Sequence, residues 1–120
     1  MAKLELLSAI PVLNVSSVPE SVAFYRDQLG FTVDFEIGGD AGVRRGEMAV
    51  HRDGGSHEFS NGPTSCRFHI RGVDSVFEEL DPRGVVKPDE RLQAMSHHGF
   101  RQFSVLDPDR NRITFAEPIT

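Results

Sequence analysis

Residues Ser21-Val22-Ala23-Phe24-Tyr25-Arg26-Asp27-Gln28-Leu29-Gly30 can be laid on Ser75-Val76-Phe77-Glu78-Glu79-Leu80-Asp81-Pro82-Arg83-Gly84, with Ser, Val, Asp and Gly matching at equal spacing. An internal repeat of this kind constrains the fold more than any other feature of the chain, because each copy must build the same unit. Both copies begin just after a strand-like run. In the first half, Ala9-Ile10-Pro11-Val12-Leu13-Asn14-Val15 reads as a strand, Ser16 or Ser17 can cap the helix that follows, and Pro19 is tolerated in its first turn. In the second, Cys66-Arg67-Phe68-His69-Ile70 is the strand and Asp74 the cap, while Gly30 and Gly84 stop the two helices. β-rich sequence then follows: residues 31–37, Gly42 to Arg45 and Glu47 to His51 in the first half, Phe100 to Leu106 and Arg112 to Ala116 in the second. Each half is therefore expected to be β-α-β-β-β. Asp53 to Thr64, with Gly54-Gly55 and Asn61-Gly62-Pro63, has the turn composition of a linker. The organisation predicted is one domain over residues 1–120, with modules at about 4–55 and about 64–120.

Composition excludes several functions. The apolar runs are too short for a span of about 20 residues, so no membrane partner is expected. The start, Met1-Ala2-Lys3-Leu4-Glu5, does not resemble a signal peptide, which predicts a cytoplasmic protein. A net charge of −5 opposes sequence-independent binding to nucleic acid, which needs a basic face. One cysteine, Cys66, allows neither an internal disulfide nor a cysteine-cluster metal site, and it is expected to point into the core as an inert thiol. No Gly-x-Ser-x-Gly elbow is present, and Gly38-Gly39-Asp40-Ala41-Gly42 joins two strands as a hairpin loop and does not form a phosphate loop. Asp107-Pro108-Asp109-Arg110-Asn111 predicts a tight hairpin, with Arg110 or Asn111 at positive φ.

Three segments together, Ile10 to Val15, Ser21 to Phe31 and Gly99 to Phe103 leading into Asp107 to Ile113, resemble the vicinal oxygen chelate superfamily, and within it the bleomycin resistance proteins most. The resemblance implies an α+β fold of two βαβββ modules forming an open curved mixed sheet around a concave cleft. It implies a homodimer with two equivalent clefts, each sequestering one bleomycin-like glycopeptide antibiotic without turnover, and no cofactor. A two-fold partner would also cover cleft walls and sheet edges that one chain leaves open. Enzymes of the superfamily hold a divalent metal through His, Gln or Glu at four positions, and their motifs place those positions here at Ile10, Ala49, Ser65 and Thr114. None is a competent ligand, so no metal site is expected.

Strand alternation selects the cleft lining. Arg67 and His69 share a face with Ser65, opposite Cys66, Phe68 and Ile70; the apolar set should face the helices. By the same rule Glu47, Ala49 and His51 line the cleft from the first module, and Gln102 and Ser104 from the second. Phe35, Phe59 and Phe100, near predicted strand ends or loops, are candidates to stack on flat heterocycles. His57, His97 and His98 fall in predicted loops. Two alternatives stay open: a metal-dependent lyase, isomerase or dioxygenase using His51, His69 and Glu47, and a small-metabolite carrier, favoured by Arg67 and by the absence of tryptophan, which bleomycin binders use alongside phenylalanine.

Overall fold

In a computed structural model, residues 3–54, 62–92 and 99–119 are described, and the repeat seen in the sequence reappears as wiring. The first module runs β1 (Val12–Asn14), α1 (Val18–Asp27), β2 (Thr32–Ile37), β3 (Asp40–Arg45) and β4 (Met48–Asp53). The second runs β5 (Ser65–His69), α2 (Val73–Leu80), β6 (Phe100–Leu106) and β7 (Arg112–Pro118). The sheets are ordered β1-β4-β3-β2 and β5-β7-β6. In each, the opening strand lies parallel to the closing one, β1 on β4 and β5 on β7, and the other pairs are antiparallel. The fold is mixed α+β, as expected.

The second module departs from β-α-β-β-β among the described residues. Where the first has β2, it has one bridge, Val86 to Val105, held by Leu106 N–H to Val85 O and Lys87 N–H to Ser104 O. Pro88 follows, and without an N–H it cannot extend the ladder; the chain turns into a 3₁₀ segment, Pro88–Glu90.

Ser17 caps α1 as the sequence predicts, its hydroxyl accepting the Glu20 N–H at 3.3 Å. Asp74 does not cap α2. Gly72 occupies the cap position at φ 93°, in the left-handed region, and has no side chain to offer. Glu117 from β7 accepts both the Gly72 and the Val73 N–H, at 3.0 and 2.9 Å, leaving Asp74 to pair with Arg101. Helix α2 ends at Leu80; a 3₁₀ turn over Asp81–Arg83 intervenes before Gly84.

Both modules share one core. Buried side chains of α1 (Val18, Val22, Tyr25) and of β3 and β4 (Val43, Val50) join Phe68, Phe103, Ile113 and Phe115 of the second sheet. A chain of ring contacts crosses between modules, Tyr25 to Phe31 at 5.7 Å, Phe31 to Phe68 at 6.4 Å and Phe68 to Phe115 at 6.0 Å. Each such pair adds roughly 0.5–1.5 kcal/mol beyond its buried area. Arg45 on β3 adds a two-pronged ion pair with Glu79 on α2.

The Asp107 to Asn111 turn is a hairpin as predicted, with Arg110 at φ 68°, and it also staples the modules together. One oxygen of Asp107 accepts the Asp109 and Asn111 N–H groups, and the other accepts the Tyr25 hydroxyl at 3.0 Å and the Asn111 amide at 2.9 Å. The Asn111 side chain donates to Asn14 O and accepts from Thr64 N–H and hydroxyl. Arg52 is buried beside this group, its Cζ 4.3 Å from the Tyr25 ring centroid and its Nε donating to the Ser21 hydroxyl. Its Nη2 has no hydrogen-bond partner among the described residues.

Burial, reinforced by the Asp107 charge, pushes the Cys66 thiol up to about 11, and the same two causes raise the Tyr25 phenol well above its ordinary value. Both groups hold protons in the folded state that the unfolded chain releases, so their stabilisation is full below their ordinary pKa values and is lost as pH rises through the folded ones. The melting temperature should therefore decline as pH is raised from about 8.5 to 11, more steeply than in Cys66→Ala. At neutral pH, iodoacetamide should label native Cys66 on the order of 100-fold more slowly than the urea-unfolded chain. Equal rates would show an accessible, ionised thiol.

Candidate functional site

Alternation that sends Leu13, Val43, Val50 and Arg52 toward α1 turns Val12, Gly42 and His51 to the other face of the first sheet. Phe35 reaches that face through an irregularity. Val33 pairs with Val43 and Phe35 with Gly42, so Asp34 is an extra residue and β2 bulges between them. In strict alternation Phe35 would share the face of Val33; the bulge reverses it. Phe35 then meets His51 edge to face, centroids 5.0 Å apart. Gly42 lies between their strands and makes the contact possible: a Cβ there would stand 2.5 Å from Phe35 Cε1 and 2.9 Å from His51 Cδ2. A cavity of about 240 Å³ opens beside this pair, lined also by Val12, Asp40 and Asp53. Asp40 and Asp53 are direct cross-strand partners, so two carboxylates stand together at its edge.

The second sheet gathers four of the predicted residues. Arg67 donates from Nη2 to Gln102 Oε1 at 2.7 Å and from Nε to His69 Nε2 at 3.4 Å. The Phe100 ring lies 4.7 Å from the Arg67 Cζ and 4.7 Å from the His69 ring centroid. The register explains the cluster: His69, Ala116 and Gln102 form one row, and Ala116 is too small to part the residues on either side. Beneath lies a buried pair of hydroxyls, Ser104 and Thr114, 2.8 Å apart. Ser104 is thus bonded within the sheet, with no exposed surface.

Glu47 corrects the sequence reading. Strand β4 starts at Met48, and Glu47, read as part of the strand, is an exposed residue of the Gly46-Glu47 turn before it. The loop read over Gly38 to Gly42 is likewise shorter: Gly38-Gly39 make the turn, and Gly42 lies inside β3. Phe59, His57, His97 and His98 lie outside the described residues. The sequence reading missed Val12, Gly42, Asp40 and Asp53. Alternation from His51 already reaches Asp53; Gly42 and Asp40 needed the hairpin register.

The donor chemistry here does not fit a divalent cation. Ala49 has no lone pair, Ile10 precedes β1 with an aliphatic side chain, the Thr114 hydroxyl is bonded to Ser104, and Ser65 offers one neutral hydroxyl. Among the described residues no group of three or more His, Cys, Asp or Glu is arranged to hold a metal. His69 lies beside the permanent charge of Arg67, which opposes a second cation. These faces are suited to recognition by stacking, hydrogen bonding and charge.

Two repeated modules with parallel opening and closing strands, sharing a core and turning aromatic and polar faces outward, define the class. The chain belongs to the Glyoxalase/Bleomycin resistance protein/Dioxygenase superfamily, whose family model matches residues 8–115. Within it, bleomycin resistance proteins of Geobacillus stearothermophilus and Staphylococcus aureus are 30% identical, the match covering 95% of this chain and 98% of theirs. The crystal structure of the bleomycin-binding protein from bleomycin-producing Streptomyces verticillus, complexed with copper(II)-bleomycin, is similar with a TM-score of 0.75 at 30% identity, covering 96% of this chain and 98% of that one. A lactoylglutathione lyase from Agrobacterium tumefaciens shares the fold at TM-score 0.75 and 15% identity, covering 96% of each chain. No helix among the described residues is long and apolar enough to cross a membrane.

Proposed function

We propose that the protein confers antibiotic resistance by sequestering a bleomycin-like glycopeptide, unchanged, in clefts completed by a second copy of the chain. The observation that carries this reading is the pair of outward faces, one built on Phe35 and His51 and the other on Arg67, His69 and Phe100, with no donor set for a metal among the described residues, in a chain similar over nearly its full length to bleomycin binders. Flat heterocycles can stack on Phe35 and Phe100, while Asp40 and Asp53 suit a cationic group. With no tryptophan in the chain, the phenylalanines must supply the stacking surface.

A second copy is supported by what one chain leaves uncovered. Leu4, Leu6 and Leu7 are 86%, 88% and 86% exposed, and Val12 is 59% exposed on the module-one face. A run of exposed leucines beside an apolar strand is surface that a soluble protein covers by association.

Calorimetric titration with metal-free and copper-loaded bleomycin tests the proposal: one drug bound per subunit, recovered intact by mass spectrometry, is expected. No heat and no thermal stabilisation up to millimolar drug would reject it. Gly42→Ala should weaken drug binding by at least about tenfold, since its Cβ displaces the Phe35–His51 pair, while costing only about 1–2 kcal/mol of stability. Unchanged affinity would remove that pair from the site. A carrier for another small metabolite is the second reading, and Arg67 is the residue that favours it.

A further inference from the structure

Arginines elsewhere in the molecule mostly face carboxylates: Arg26, Arg44, Arg45, Arg91, Arg101 and Arg112 each lie within ion-pair distance of one. Arg67 has no such partner among the described residues. It is nonetheless held in place, by Gln102 Oε1, by His69 Nε2 and by the ring of Phe100. A guanidinium carries five N–H donors, and these contacts engage two of them. The remaining fork belongs to an exposed side chain whose rotamer is already restricted, so binding an acceptor there orders little that is free. Planar, two-pronged donation matches carboxylate and sulfonate oxygens, and the adjoining Phe100 ring, 4.7 Å from His69 and tilted 31° to it, is the apolar group beside the guanidinium. The first sheet has the opposite character: Asp40 and Asp53 stand at its cavity and repel an acid.

We infer that Arg67, with His69, Gln102 and Phe100, forms a subsite for the acidic group of a flat aromatic ligand, an aromatic carboxylate or sulfonate. The inference rests on the reading that the outward sheet faces are the ligand-binding surfaces, and it names the chemistry of one of them. Arg67 supplies the charge and the two-pronged bond, Gln102 and His69 orient it, and Phe100 stacks on the ring that carries the acid.

Three probes of one shape test it by calorimetry: naphthalene-2-sulfonate, naphthalene-2-sulfonamide and 2-naphthylmethylammonium. The sulfonate should bind at least tenfold more tightly than the sulfonamide and the ammonium. Arg67→Gln should erase that preference while leaving the sulfonamide affinity within twofold. Phe100→Leu should weaken sulfonate and sulfonamide alike, and it provides an independent test if Arg67→Gln does not fold. Equal affinity for the three probes, no binding of any, or an unchanged sulfonate affinity in Arg67→Gln would overturn the inference. Bleomycin titrated into the same preparations separates the two readings. Drug binding without sulfonate preference sinks the acid subsite alone, whereas sulfonate preference without drug binding supports the subsite and rejects sequestration of bleomycin.

Discussion

Asp107→Ala should lower stability by about 3–5 kcal/mol, enough to shift the midpoint of thermal unfolding by roughly 10–20 °C in a chain of this size. Four donors lose their acceptor at once: the backbone N–H groups of Asp109 and Asn111, the Asn111 amide and the Tyr25 hydroxyl. Tyr25 and Asn111 are fully buried, so no solvent reaches them to compensate. Arg52, also buried, loses a nearby opposite charge that helps hold it ionised against burial. Tyr25→Phe removes one hydroxyl from the same group and should cost only about 1–2 kcal/mol. The double variant should fall short of the sum of the single effects, because both changes break the same bond. Chemical denaturation of the four proteins measures this; an Asp107→Ala chain as stable as the parent would show that the turn does not staple the modules.

Removing residues 1–10 should turn the proposed dimer into a monomer and weaken bleomycin binding by more than about a hundredfold. Burying a leucine side chain is worth about 1.5–3 kcal/mol, and Leu4, Leu6 and Leu7 are all exposed in the single chain, so two arms together hold enough apolar surface to decide association. The truncation leaves the fold its own strand: Pro11 O, which accepts the His51 N–H at 2.9 Å, and β1 both lie beyond the cut. Light scattering at micromolar concentration reads the mass, and calorimetry reads the drug. A truncated chain that remains dimeric would assign the interface to another surface, and one that is monomeric yet binds normally would place the whole site within one chain.

Much of this architecture is written in local pattern. The repeat at Ser21 and Ser75 predicts two modules, and period-two alternation correctly brings Arg67, His69 and Gln102 to one face, because both signals depend only on neighbours in sequence. What the pattern hides are long-range partners. Asp74 is a reasonable cap by its own position, but Glu117, more than forty residues away, reaches the start of α2. Glu47 has the parity of His51 but belongs to the β3–β4 turn, because the strand begins one residue later. The Asp107 to Asn111 motif reads as a hairpin from its composition; its bonds to Asn14, Tyr25 and Thr64 follow only from the packing of one module on the other.

The bulge at Asp34 has a consequence for how such a wall can change. Val33 and Phe35 stand two apart yet face opposite sides because Asp34 is taken up in the bulge, so deleting Asp34 would give a regular strand in which Phe35 still lies opposite Gly42 and its ring keeps the cavity side. Point substitution at Phe35 alters one contact, whereas a change of length by one residue that the bulge does not absorb would turn the whole remainder of the strand over. In relatives of this chain, shifts of drug preference should therefore be sought among short insertions and deletions in this hairpin as well as among exchanged residues.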